Sequence, residues 1–327
     1  MLHRTFGALA LALICLTSPA HTAGLQLLDS DPKLRGAIWT PCAAAPQAVA
    51  LGSLAAPGVD SLPGMKDCPI KGTKLPLLII SHGHGGWFGQ HQDINEALAN
   101  AGFIVAAINH PGDTVNDLRE DDPMSIWASR PRDITRLIDF VLNDWKDKSA
   151  IDRDKIGFFG FSLGAYTGLV LIGAKAEFAR LATWCKPDSK WKPCEQARSG
   201  DVPESPPPDP RIRAAVLADN ALSFAFTPET LAAIQVPLQV WRSEQGGHGV
   251  NAESTAFTAS KLPARTEFHV VPAGHYAFLA PCSAQILAAN PRVCLDTPPD
   301  FDRAAFHRAF DADVVRFFSE QLIGKRS

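Results

Sequence analysis

Lys155-Ile-Gly-Phe-Phe-Gly-Phe-Ser-Leu-Gly-Ala-Tyr-Thr-Gly-Leu169 is the stretch on which the reading of this chain turns. Ile156 to Phe161 is a short apolar run with aromatics, the pattern of a buried strand. The run breaks at Gly160-Phe161-Ser162-Leu163-Gly164, and Ala165, Tyr166, Leu169, Val170 and Leu171 then read as a helix. Strand, G-x-S-x-G and helix in that order is the context of a nucleophile elbow. The two glycines remove side chains where a sharp strand-to-helix turn would clash, so the serine stands exposed on strained backbone. The new helix aims unpaired N–H groups and its positive end at any anion formed beside Ser162. A small-residue turn packing a helix onto a sheet would carry the same letters, so the rest of the chain decides.

Outward from the elbow, Leu75 to Ser81 (L-P-L-L-I-I-S) is a continuous apolar strand, as expected when helices cover both faces. It runs into His82-Gly83-His84-Gly85-Gly86, whose glycines allow a tight turn presenting N–H groups, as an oxyanion hole requires. On this reading the N–H groups of His84 and Leu163 are the two donors. A phosphate cradle fits less well, because the G-x-x-x-x-G-K-[ST] spacing is missing. His82, His84 and His91 invite a metal reading, but no acidic partners sit at a matching spacing, and the expectation is no metal.

Gln90 to Ala101 reads as a helix stopped by Gly102, and Phe103 to Ile108 as the next buried strand. Arg132 to Trp145 carries one apolar stripe (Ile134, Leu137, Ile138, Val141, Leu142), with Pro131 suited to its first turn. Upstream, Leu25 to Leu28 and Leu34 to Trp39 look like an antiparallel pair, and Ala43 to Lys74 like a surface loop. Downstream, the stretch at about 172–210 breaks the alternation with Trp184, Trp191 and three consecutive prolines, and reads as an insertion over the active-site face. Arg211 to Ala218, Val236 to Trp241 and Glu267 to Val271 return to strand, and Arg303 to Leu322 closes the chain as a helix burying Phe306, Phe310, Val314 and Phe317. The class is α/β: a mostly parallel twisted sheet with helices on both faces, in a single domain over 24–327.

A serine hydroxyl is a poor nucleophile until a base takes its proton, and the base works best when a carboxylate holds its tautomer. His275 follows the last strand, 113 residues beyond Ser162, in a Gly-His turn. Two acids compete. Asp219 ends the strand after the insertion, and Glu244 ends the following one. The shorter Asp219, with Asn220 beside it, is preferred.

A net charge of −3 argues against nucleic acid or an anionic membrane surface as the main partner. His3 and Arg4 precede an apolar run from Phe6 to Leu16 and then Thr17-Ser18-Pro19-Ala20, which reads as a signal peptide over 1–23 cut near Ala20 or Ala23. The run is too short for a membrane anchor. With Cys15 removed, six of seven cysteines remain, an even number that favours disulfides in an exported chain. Neighbourhood pairs Cys42 with Cys68, Cys185 with Cys194 and Cys282 with Cys294, one of fifteen possible pairings.

The motifs S-H-G-H-G-G, G-F-S-L-G, L-A-D-N and G-H-Y-A-F-L resemble the platelet-activating-factor-acetylhydrolase-like branch of the α/β-hydrolases, whose bacterial members are often labelled dienelactone-hydrolase-like. The resemblance runs from about Leu34 to Phe318. It implies the α/β-hydrolase fold, with Ser162 as nucleophile, Asp219 as acid, His275 as base, and an oxyanion hole from the His84 and Leu163 N–H groups. Together with the signal peptide and the cysteines, this reads as a periplasmic or secreted serine hydrolase that cleaves small-molecule carboxylic esters with small or medium acyl groups, without a cofactor. Two departures stand out. Dienelactone hydrolases themselves carry cysteine at the nucleophile position. Many bacterial relatives carry an aspartate after the next strand, where this chain has Glu244-Gln245-Gly246-Gly247. The same triad would serve an acyltransferase or a peptidase, and a non-catalytic binding protein could reuse the scaffold.

Overall fold

Apolar runs that alternate their side chains between two covered faces dictate a sheet buried on both sides, and the chain builds one. The computed structural model describes residues 22–119, 122–295 and 298–324; of the signal peptide read over residues 1–23, residues 1–21 lie outside them, and Thr22 and Ala23 belong to the first strand. In chain order the strands are β1 (Thr22–Leu28), β2 (Gly36–Ala44), β3 (Gln47–Ala50), β4 (Ser61–Lys66), β5 (Leu75–Ser81), β6 (Ile104–Ile108), the short β7 (Asp113–Thr114) and β8 (Asp117–Leu118), β9 (Ile151–Phe161), β10 (Ile212–Ala218), β11 (Leu238–Ser243) and β12 (Glu267–Val271). The helices are α1 (Gln92–Asn100), α2 (Pro123–Asn143), α3 (Leu163–Leu171), α4 (Lys192–Ser199), α5 (Pro228–Ala232), α6 (Ala252–Lys261), α7 (Ala284–Ala289) and α8 (Arg303–Phe318).

The main sheet runs β12-β11-β10-β9-β5-β6-β2-β1-β4-β3. The six strands from β12 to β6 are parallel, and β2 pairs antiparallel with both β6 and β1. Successive side chains of β9 sort to opposite faces. Phe158 packs in the core under α2 and α3, whereas Phe159 and Phe161 pack in the core under α1 and α8. Because β5 lies between β9 and β6, the chain leaves it in opposite directions. The crevice at the carboxyl ends of β5 and β9 is where such sheets bind ligands.

Two expectations need correction. The stretch 43–74 is not simply loop: β3 and β4 pair antiparallel and extend the sheet past β1, with Val49 and Leu62 buried on their inner face. Prolines and glycines mask those strands in the sequence. The helix expected to begin at Arg132 begins at Pro123, and Pro131 lies inside it. A proline there deprives the carbonyl four residues back of its helical donor. That carbonyl is Trp127 O, and the Tyr166 hydroxyl donates to it at 3.3 Å from α3.

The disulfides join Cys42–Cys68, Cys185–Cys194 and Cys282–Cys294. The second pins the insertion, whose Phe178 and Trp191 rings lie near Trp127 of α2, with Phe224 near the same ring. The insertion also grips the chain just beyond β10: the Glu177 N–H donates to Ala225 O, and Arg180 to Phe224 O. Among the described residues, no helix is long and apolar enough to cross a membrane.

Candidate active site

The elbow forms as its letters require. Ser162 has φ 56° and ψ −116°, between the end of β9 and the start of α3. A Cβ on Gly160 would overlap the Gly164 carbonyl, and one on Gly164 would overlap the Ser81 carbonyl, so both positions demand glycine. Ser162 N–H donates to Ala218 O at 2.9 Å, tying the elbow to the strand end that carries Asp219. As the first residue of α3, Leu163 has an N–H with no acceptor within the helix.

His275 stands where β12 turns back over the sheet. Its Nε2 lies 2.9 Å from Ser162 Oγ and its Nδ1 lies 2.6 Å from Asp219 Oδ2. The imidazole stacks on Phe161 with ring centres 4.6 Å apart, and its backbone N–H donates to Gly246 O at 2.8 Å. Asp219, itself at φ 50°, receives two further hydrogen bonds from Ser243: the N–H at 2.8 Å to Oδ1 and the hydroxyl at 2.7 Å to Oδ2. A carboxylate so filled has one orientation left to it, and that orientation presents Oδ2 to the histidine. All three side chains are nearly buried, with Ser162 6% exposed.

Glu244 is exposed, and its backbone N–H joins Val271 O; the carboxylate in contact with His275 is that of Asp219. Asn220 donates to Ser223 Oγ at 3.0 Å and so steadies the turn after Asp219. Ser243 was not singled out from the sequence. Its signal lay in its place: a hydroxyl residue ending the strand beside the one that delivers Asp219.

The His82–Gly86 loop passes against Ser162: a Cβ on Gly83 would come within 3.3 Å of Ser162 Cβ. The His82, His84 and His91 side chains go separate ways. His82 Nδ1–H donates to Gly83 O at 2.7 Å while its Nε2 accepts from the His110 N–H at 3.2 Å; burial, then the Arg130 charge, hold it well below the ordinary histidine range. His84 pairs with Asp113 at 2.7 Å. His91 lies between the Phe159 and Phe161 rings, and burial lowers it to about 4. Among the described residues, the groups whose ligand atoms do converge, within 4.8 Å, are Asp93–His307–Asp311 and Glu267–His269–Asp313, and both involve α8. Each already has internal partners: His307 bridges Asp93 and Ala277 O, and Glu267 pairs with Arg316. A cavity of about 410 Å³ opens between the β3–β4 connection, Gly85–Gly86 and the Cys282–Cys294 loop; neither Ser162 nor His275 lines it.

With this geometry, similarity to known proteins is informative. The family model for platelet-activating factor acetylhydrolase, isoform II, matches residues 47–115, from β3 through the His82–Gly86 loop to β7. The dog (Canis lupus familiaris) platelet-activating factor acetylhydrolase is 25% identical over 191 residues, which is 45% of this chain and 42% of that protein. A ferulic acid esterase from Streptomyces cinnamoneus superposes with a TM-score of 0.62 at 18% identity, covering 95% of this chain and 94% of its own. This is the α/β-hydrolase fold. A cold-adapted esterase from an Arctic intertidal metagenomic library is also similar, with a TM-score of 0.45 at 15% identity over 88% of this chain and 87% of its own. Ser162, Asp219 and His275 follow the ends of β9, β10 and β12 in chain order.

Proposed function

We propose that this protein is an exported serine hydrolase that cleaves carboxylic esters with small or medium acyl groups. The observation that carries the reading is the unbroken hydrogen-bonded chain from Ser162 Oγ through His275 to Asp219, mounted on a strained elbow. His275 Nε2 takes the serine proton as Oγ attacks the ester carbonyl. Asp219, with its other lone pairs engaged by Ser243, keeps Nδ1 protonated and stabilises the imidazolium. The oxyanion is received by the Leu163 N–H at the head of α3 and by the His84 N–H of the adjacent loop. His275 then protonates the leaving alcohol, and water, activated by the same ring, releases the acyl group. Every step uses a group of this chain.

Similarity to platelet-activating factor acetylhydrolases at the His82–Gly86 loop supports ester chemistry. The insertion supports modest acyl length: α4 is short and polar, with Lys192, Glu195 and Arg198 exposed, unlike an apolar lipase lid. Three disulfides support export. Ala23 is fully buried in β1, so signal cleavage after Ala20 leaves that strand whole.

The test is hydrolysis of p-nitrophenyl esters from acetyl to long-chain. Turnover that peaks at short or medium acyl groups is the expected result. A long-chain optimum contradicts the acyl preference. A folded protein inert at every length sinks the esterase reading and turns attention to amide or acyl-acceptor substrates.

A further inference from the structure

Below the His82–Gly86 loop lies a polar network that the proposed chemistry leaves unused. Arg130 of α2 is fully buried, and its guanidinium is divided among several partners. Nη1 pairs with Asp113 Oδ2 at 2.5 Å, Nη2 donates to the His82 carbonyl and, at 3.3 Å, to Ser81 Oγ, and Nε donates to Thr167 Oγ1 at 3.3 Å. Asp113, equally buried, accepts the Gly85 N–H at 2.8 Å and pairs with His84 Nδ1 at 2.7 Å. One ion pair therefore holds the loop at both ends, by the carbonyl of residue 82 and the N–H of residue 85. Gly83 and His84 are strung between those anchors, and Gly83 is the residue that packs against Ser162.

The pair is an expensive way to fill space. Apolar side chains of similar volume generally stabilise a core as well as a buried ion pair does, or better. What they cannot do is bond a carbonyl and an N–H three residues apart in a fixed relation, which the planar guanidinium fork and a carboxylate do together. Burial alone would raise the Asp113 carboxyl, but the charge of Arg130 and then the His84 hydrogen bond outweigh it and keep it ionised well below the usual carboxylate range.

We propose that Arg130 and Asp113 are positioning residues that fix the His82–Gly86 loop where its N–H groups meet the oxyanion beside Ser162. This rests on the hydrolase reading above and adds to it the device that aligns the donor loop. The test compares wild type, Arg130→Lys and Asp113→Asn on a p-nitrophenyl ester, with kcat normalised to active sites titrated by a fluorophosphonate. Lysine keeps the charge without the fork, and asparagine keeps the shape without the charge. A misplaced donor loop should lower kcat about 10- to 100-fold, with KM and the pH profile unchanged. Amide hydrogen exchange at residues 82–86 should quicken in the same variants. A kcat within two-fold of wild type, with only the thermal midpoint lowered, would overturn the proposal. If Arg130→Lys does not fold, the nearly isosteric Asp113→Asn supplies the same readouts. If the wild type turns over no ester, the hydrolase reading fails separately, and exchange decides the clamp: lost protection at 82–86 in Asp113→Asn upholds it and retained protection overturns it.

Discussion

Among the described residues two Ser-His-Asp constellations stand out, with the same Ser–His distance and the same order of contacts. In one, Ser162 Oγ lies 2.9 Å from His275 Nε2, and His275 Nδ1 lies 2.6 Å from Asp219. In the other, Ser81 Oγ lies 2.9 Å from His110 Nε2, and His110 Nδ1 lies 3.2 Å from Asp133. What separates them is setting. Ser162 sits on an elbow at φ 56°, at the head of a helix; Ser81 is the last residue of an ordinary strand and is fully enclosed. The Arg130 guanidinium donates to Ser81 Oγ at 3.3 Å, and burial followed by that nearby charge pushes His110 down to about 4. A base so depressed stays neutral at ordinary pH and resists the imidazolium that nucleophilic attack would create. Asp133 is also shared with Arg136 at 2.9 Å. Residue types and distances are therefore not enough. The enclosure of Ser81, the strained backbone at Ser162 and the depressed base at His110 are what set the two apart.

Removing each hydroxyl in turn separates the two sites most sharply. Ser162→Ala is expected to lower ester turnover about 10⁶-fold, whereas Ser81→Ala keeps it within a few-fold; kcat on a p-nitrophenyl ester measures both. Equal losses in the two would erase the distinction. The acids come next. Asp219→Asn should cost about 10⁴-fold in kcat by disturbing the histidine tautomer, while Glu244→Gln should stay within two-fold, since its carboxylate is solvent-exposed. The reverse order would give the role to Glu244.

A smaller effect concerns a third polar cluster, between α1 and α8. Burial, then the Asp93 charge, raise Glu96 from 4.5 to about 7 and Asp311 from 3.8 to about 8. Both carboxyls are thus protonated more readily in the folded state. Their contribution to stability is complete below the unfolded values and is lost as pH climbs through about 7 and 8. The thermal midpoint should fall by a few degrees between pH 6 and pH 9, and the double change Glu96→Gln with Asp311→Asn should flatten that slope. A midpoint that rises over the same range would contradict the sign.

The sequence made some of this legible because the constraint is local. Glycines at 160 and 164 are forced by carbonyls that a side chain would strike, so the elbow could be read from five letters. The strand at Leu75–Ser81 declared itself through unbroken apolarity. Arg130 and Asp113 could not be read so. A charged residue beside a proline looks like solvated surface, and the helix that holds Arg130 begins nine residues before the start its apolar stripe suggests. Its buried partners come from β5, β7 and α3, contacts made by the fold and not by neighbours in the chain. Likewise, only the parallel pairing of β10 with β11 brings Ser243 to Asp219. The strands β3 and β4 were hidden by Pro63, Gly64 and the long connection from Leu51 to Asp60 that separates them.

The most direct measurement is covalent labelling by a fluorophosphonate, followed by mass-spectrometric mapping of the modified peptide. A single stoichiometric adduct on Ser162 is expected, blocked in Ser162→Ala, with Ser81 untouched. An unlabelled protein that is otherwise folded, or an adduct on Ser81, would contradict it.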